Sequence, residues 1–205
     1  MPIAGMIEKA VTAQPKFTNA SKLFALTGRE ELKVVRVVQG TANLTNGHVL
    51  IRRYVGIPDG VYDVNMDGSL SPTRYAHGMR YPDIEMIRPP FETMIPSCEL
   101  PNAAMGPMIQ LCQEARKVDG KLILSKEGVY MLQNPQVNFA FPLGLTAPNK
   151  VDPKYFEIAL IEMLQYPSVY LLQENRPTDV EGPRTPLVLG LDWGSCALLM
   201  PLAQT

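Results

Sequence analysis

Apolar positions along this chain come in short runs, separated by proline, glycine and asparagine, and the runs differ in period. Met6, Ile7, Ala10 and Val11 fall on one face of a short helix over Gly5 to Ala13. Lys33-Val34-Val35-Arg36-Val37-Val38 is β-branched and closes on Gln39-Gly40-Thr41, which predicts a strand and a hairpin. The strand sense continues from Ala42 to Val55, with Leu44, Val49, Ile51 and Tyr54 expected inward. From Gly56 to Pro101 the chain is dense in Pro, Gly, Asp and Met. That stretch reads as a long excursion with short strands around Val61-Tyr62 and over Ile84 to Ile87.

A second unit begins at Ser97-Cys98-Glu99-Leu100. Asn102 is expected to cap a helix through Gln113 or Arg116, with Met105, Met108, Ile109, Leu111 and Cys112 as its apolar face. Lys121 to Gln133 reads as strand, tight turn, strand, and Val137 to Leu143 adds another strand. A third unit repeats the plan. Asp152 caps a helix, Pro153 takes the first helical position, where its missing N–H costs nothing, and Tyr155 to Gln165 ends before Pro167. Three strands follow: Ser168 to Gln173, Pro186 to Leu191 and Ser195 to Pro201.

Helix followed by strands therefore occurs three times, as in repeat architectures. The expected class is α+β, built from repeated helix-plus-antiparallel-strand half-domains. Residues 1–96 are expected to form one domain with the long excursion. Residues 97–205 form another, from half-units 97–145 and 150–205.

Composition narrows the classes. The chain has 205 residues, 46% of them hydrophobic and 19% charged, with 19 prolines. No stretch approaches the roughly 20 apolar residues that span a bilayer. The start, Met1 to Ala13, lacks the basic region and apolar run of a secretory signal, so a cytoplasmic location without a membrane partner is expected. Cys98, Cys112 and Cys196 are far apart and sit among apolar neighbours, which fits free thiols better than disulfides or metal ligands. The net charge of −1 gives no bulk argument for nucleic acid; only a local basic patch could supply one.

Catalytic chemistry finds little support. His48 and His77 have no cysteine or carboxylate at ligand spacing, and there is no Gly-x-Ser-x-Gly elbow, phosphate loop or dinucleotide fingerprint. Asp63-Val64-Asn65-Met66-Asp67-Gly68-Ser69-Leu70-Ser71 matches the opening of a calcium loop. Arg74, however, stands where the bidentate Glu should be, and Pro72 lies just before it. No catalytic residue, metal or cofactor is expected.

Three segments resemble one family. Ala197-Leu198-Leu199-Met200-Pro201-Leu202 is similar to the Val-Val-Met-Pro-Met-Arg-Leu ending of bacterial β clamps, whose final strand lines a partner-binding pocket. Leu44-Thr45-Asn46-Gly47-His48-Val49-Leu50 is similar to the Thr-Asp-Gly-His-Arg-Leu segment on the other wall of that pocket, with Val49 replacing the Arg. Arg80-Tyr81-Pro82-Asp83-Ile84-Glu85-Met86-Ile87-Arg88-Pro89 is similar to the Phe-Pro-Asp-Tyr segment between clamp domains. The half-domain plan also resembles that of DNA sliding clamps.

The resemblance implies a sliding-clamp fold and a non-enzymatic processivity factor. Such a factor binds double-stranded DNA without sequence preference and tethers a DNA polymerase or other replication proteins by short linear peptides. It implies a partner pocket of Thr45, Gly47, His48, Leu50, Leu198, Leu199, Met200, Pro201 and Leu202. From the residues alone, the same side chains fit the core of the last sheet. Phosphate contact in a clamp channel needs helix-borne cations; Lys9, Arg116, Lys117, Lys121, Lys150 and Lys154 are the candidates. A ring on the family's plan would take a trimer or tetramer of this chain. Two other readings stand beside it: a clamp-fold adaptor or decoy that does not encircle DNA, and a β-rich viral structural protein.

Overall fold

The β-branched run closes as its sequence predicts. Val35–Val38 (β1) turns through Gln39 and Gly40, with φ of 51° and 70°, into Thr41–Thr45 (β2). Left-handed backbone at both turn positions matches the twist of the strands it joins. The computed structural model describes residues 16–73, 81–87, 94–174 and 186–200; the helix expected over Gly5 to Ala13 lies outside them. A second turn, at Asn46-Gly47-His48, leads into Val49–Tyr54 (β3). The Asn46 side chain holds this turn by accepting from the amides of His48 (3.0 Å) and Val49 (3.1 Å). Gly47 supplies its φ of 91°.

Gly60–Val64 (β4) and Leu70–Pro72 (β5) form the next hairpin. This is the calcium-like stretch, and its side chains satisfy one another. The Ser69 hydroxyl donates to Asp67 (2.6 Å), Asn65 Nδ2 donates to Ser69 Oγ (2.9 Å) and the Ser71 hydroxyl donates to Asn65 Oδ1 (3.1 Å). Among the described residues no group of three metal-ligating side chains occurs.

Met94–Pro101 (β6) precedes the helix Asn102–Lys117 (α2), after the short helix Ala20–Phe24 (α1) near the start of the described chain. Leu122–Leu124 (β7), Gly128–Met131 (β8) and Asn134–Ala140 (β9) follow, then Asn149–Val151 (β10) and the helix Pro153–Met163 (α3). Ser168–Glu174 (β11), Leu187–Asp192 (β12) and Ser195–Leu199 (β13) complete the order.

Among the described residues the strands make one nine-stranded sheet, β5-β4-β1-β2-β3-β13-β12-β11-β6, and one four-stranded sheet, β10-β7-β8-β9. The second and third units interlock. Strand β6 leads into α2 but pairs with β11, which follows α3, whereas β10 leads into α3 but pairs with β7, which follows α2. Each unit thus gives its leading strand to the other's sheet. The two helices pack against each other and run antiparallel. Arg116 near the end of α2 meets Glu157 in the first turns of α3, and Asn102 at the start of α2 donates to the Leu164 carbonyl at the end of α3.

Alternation sets the faces of the large sheet. Val35, Val37, Leu44, Val49, Ile51, Ala197 and Leu199 point toward the helices and join the main core. Phe156, Leu160 and Met163 of α3 and Met105, Met108 and Cys112 of α2 meet them or the smaller sheet from the helix side.

Several expectations are corrected. Tyr54 is not inward: an odd number of positions separates it from Ile51, so it faces away from the helices and is 58% exposed. Ile84–Ile87 is a 3-10 helix instead of a strand. Pro101, not Asn102, is the cap residue of α2, with no capping side chain; Asn102 is already the first helical residue, and its side-chain Nδ2 donates across to α3. The excursion also contains β6, whose Pro96 and Pro101 are tolerated because it is the sheet's edge. Asp152 does cap α3, accepting from the Lys154 amide at 3.0 Å, with Pro153 at the first position. Cys112 and Cys196 are buried free thiols; Cys98, also free, is half-buried.

Candidate partner-binding site

Strand β13 lies directly beside β3, antiparallel, with Leu198 opposite Leu50 and Leu199 opposite Val49. The Met200 amide extends the ladder to the His48 carbonyl at 2.9 Å. The segments 45–50 and 198–200, far apart in sequence, are therefore one continuous piece of sheet.

Their side chains separate by face. Leu199 points to the helices. Leu50 and Leu198 point outward but are buried in a second, smaller cluster with Ile84, Met94, Val188 and Cys196, flanked by Tyr81, Leu172 and Trp193. Burial drives the Cys196 thiol up to about 12. The Thr45 hydroxyl is engaged within its own turn, donating to the Val49 carbonyl (2.9 Å) and accepting from the Gly47 amide (3.1 Å). Of the nine expected pocket residues, Gly47, His48 and Met200 are exposed, Thr45, Leu50, Leu198 and Leu199 are buried, and Pro201 and Leu202 lie outside the described residues.

Residues 81–87 lie across this outer face and explain why β2 and most of β3 are buried on both sides. The Tyr81 hydroxyl donates to the Asn43 carbonyl (2.8 Å), Ile84 enters the second cluster and Glu85 pairs with Arg52 at 3.2 Å. Arg52 also lies 3.9 Å from the centre of the Trp193 ring, a cation–π contact. Burial pushes the Tyr81 phenol well above its ordinary range, and the nearby Arg36 charge opposes that shift. Arg52, Glu85 and Trp193 were not expected as members of this region. The sequence carries only indirect signals of them: the chain's single tryptophan, and the Tyr-Pro-Asp segment.

Exposed His48 stacks on Tyr155 of α3, ring centres 4.9 Å apart, and the Lys154 ammonium sits 5.6 Å over the same ring. The turn of the candidate pocket thus touches the cationic helix end. There, Arg116 pairs with buried Glu157, Lys117 with Glu114 (2.6 Å) and Lys121 with Asp152 (3.2 Å), with Lys154 4.0 Å from the same carboxylate. Lys150, half-buried on β10, completes the described part of this set; Lys9 lies outside the described residues. The expected DNA-facing cations therefore gather where α2 ends and α3 begins, interleaved with Glu114, Asp152 and Glu157.

No protein-family model and no curated protein sequence matches the chain. Solved structures do. The Helicobacter pylori β clamp, in a structure with a DNA ligase peptide, is similar with a TM-score of 0.51 at 16% identity, over 91% of this chain and 63% of that one. DNA polymerase III subunit β from Borrelia burgdorferi gives 0.59 at 12% identity, over 95% and 65%. The Thermotoga maritima β subunit gives 0.55 at 12%, over 91% and 62%. The chain spans a little under two thirds of the length of these clamps. It has the sliding-clamp fold, α+β with antiparallel sheets backed by helices. Among the described residues no helix is long and apolar enough to cross a membrane.

Proposed function

We propose that this chain is a clamp-type processivity module, with no catalytic role. It assembles as a homo-oligomer, a trimer or tetramer, holds duplex DNA without reading its sequence, and tethers a polymerase or other replication protein by a short linear peptide. Residues 1–96 and 97–205 serve as its two domains. The observation that carries the reading is the pairing of β13 with β3, which joins 45–50 to 198–200 in one surface within a sliding-clamp fold. Exposed Met200 and His48 offer the peptide an apolar and a polar contact at its rim, and methionine repacks readily around different ligands. The Arg116 to Lys154 cluster is the proposed phosphate-facing surface.

The test is retention on nicked circular plasmid compared with the same plasmid linearised, with solution mass measured by light scattering. Retention on circles alone, by a trimer or tetramer, supports the clamp. A monomer that leaves both DNAs alike, while still binding client peptides, supports the second reading: a clamp-fold adaptor that does not encircle DNA. That reading is favoured by one observation, the pairing of Arg116, Lys117 and Lys121 with carboxylates of this same chain.

A further inference from the structure

Residues 81–87 sit on the outer face of the β3–β13 junction as an added piece, not as a member of the sheet. Among the described residues no backbone–backbone hydrogen bond joins this segment to a strand. Its amides bond within the segment: that of Met86 donates to the Asp83 carbonyl (3.3 Å), and that of Glu85 to Asp83 Oδ1 (3.1 Å). The attachment to the sheet is made by side chains. Ile84 enters the cluster of Leu50, Leu198 and Val188, the Tyr81 hydroxyl reaches the Asn43 carbonyl, and Glu85 accepts from Arg52 and from the Trp193 indole N–H (3.4 Å). Pro82, Asp83 and Met86 are exposed, Met86 at 84%.

The ladder beneath is complete without the segment. Strand β3 pairs with β2 on one side and with β13 on the other, so lifting 81–87 away leaves the sheet intact. It uncovers an apolar floor of Leu50, Leu198 and Val188. The covered arrangement also leaves a polar group unsatisfied. Asn43 is buried, and among the described residues its Oδ1 has no hydrogen-bond partner. A buried acceptor without a donor opposes closure, and water or a peptide N–H satisfies it once the face is open. What the segment lays on this floor is an aliphatic side chain followed by a carboxylate, the content of a short linear peptide.

We propose that residues 81–87 are an internal occupant of the client site, closing it until a partner peptide with an aliphatic residue followed by an acidic one takes their place. The proposal rests on reading 45–50 and 198–200 as a peptide site, and it adds regulation to that site. The client binds the open form, so its affinity is set by how firmly Ile84 and Glu85 hold the closed one. Weakening the segment therefore tightens client binding, the opposite of what a fixed wall of the site would do.

The experiment uses the full chain as wild type, Ile84→Ala and Glu85→Gln, the last altering an exposed side chain outside the core. Its probe is fluorescein-labelled Tyr-Pro-Asp-Ile-Glu-Met-amide, a copy of 81–86, followed by anisotropy. Ile84→Ala should bind it about tenfold more tightly than wild type, and Glu85→Gln several-fold more tightly. Thiol labelling in urea below the unfolding transition gives a readout that needs no peptide. There Cys196, in the covered cluster, should react about tenfold faster in Ile84→Ala, with Cys112 of α2 unchanged. Two kinds of result would overturn the proposal, and they differ. A probe that binds no variant, with the Cys196 difference still present, removes the peptide site itself. A probe that binds wild type at least as tightly as both variants, or Cys196 and Cys112 accelerating together, removes the strap.

Discussion

Arg53 on β3 and Glu162 on α3 form a 3.2 Å ion pair in which both side chains are almost wholly buried. Arg53 also donates to the Lys16 carbonyl (2.8 Å) and to Gln165, and it lies over the Phe17 ring. The pair fastens the first unit's sheet to the last unit's helix. Burial lowers the Arg53 pKa and raises that of Glu162, and each partner's charge works against the other's shift. Removing one member leaves a charge in the core, so Arg53→Ala should cost about 3–5 kcal/mol. The double change Arg53→Met with Glu162→Leu should recover most of that loss. Urea unfolding of the two variants checks both values; a double variant no more stable than the single would contradict the account.

Leu198 and Met200 should behave differently although they are two residues apart. Leu198 is fully buried, so Leu198→Ala should destabilise by about 2–5 kcal/mol. Met200, 41% exposed, should change stability by under about 1 kcal/mol on replacement by Ala, while weakening client-peptide binding at least several-fold. Thermal unfolding paired with fluorescence anisotropy of a labelled client peptide separates the two. Unchanged peptide binding by Met200→Ala would remove the pocket.

The cationic helix end gives a salt-dependence prediction. Lys117, on the exposed end of α2, should reduce the slope of log binding constant against log salt by about 0.9 when changed to Ala, with stability unaltered. Arg116→Ala should in addition destabilise the fold, because among the described residues it leaves buried Glu157 with the Gln113 amide alone (3.1 Å). A slope that ignores Lys117 would take DNA off this surface.

Thiol chemistry offers a check on packing. Burial pushes the Cys98 thiol up to about 11, so at pH 8 it is held almost wholly protonated. The sign follows from the shift: a raised pKa keeps the proton on the folded protein, and Cys98 labelling should quicken as pH climbs toward that value. Cys112 and Cys196, both fully buried, should stay unlabelled in the folded chain and react only in denaturant. Rapid native labelling of Cys112 at pH 8 would show that the packing of α2 is looser than described.

What the sequence made legible was local. Asp152-Pro153 announces α3 because cap and first-turn chemistry act within a few residues. Gln39-Gly40 announces its hairpin for the same reason. Asn102 misleads because the helix starts one residue earlier than its capping preference suggests, and its side-chain Nδ2 donates to Leu164, a partner that the antiparallel helix pair supplies. Strand β10 is three residues whose strand character comes from β7, so periodicity could not reveal it. The pairing of 45–50 with 198–200 was accessible only through the resemblance. The burial of Leu50 and Leu198 depends on residues 81–87 crossing the outer face, which no pattern within either strand encodes.

The neighbouring positions of β3 and β13 also constrain how this protein is made. While the ribosome is still translating, β3 has β2 on one side and an unsatisfied row of amides and carbonyls on the other. That row stays open until residues 195–199 have emerged, so the nine-stranded sheet closes late and over a long loop. A client that recognises both 45–50 and 198–200 would therefore engage only chains translated through β13, and nascent chains halted earlier would present the bare edge of β3 to chaperones instead.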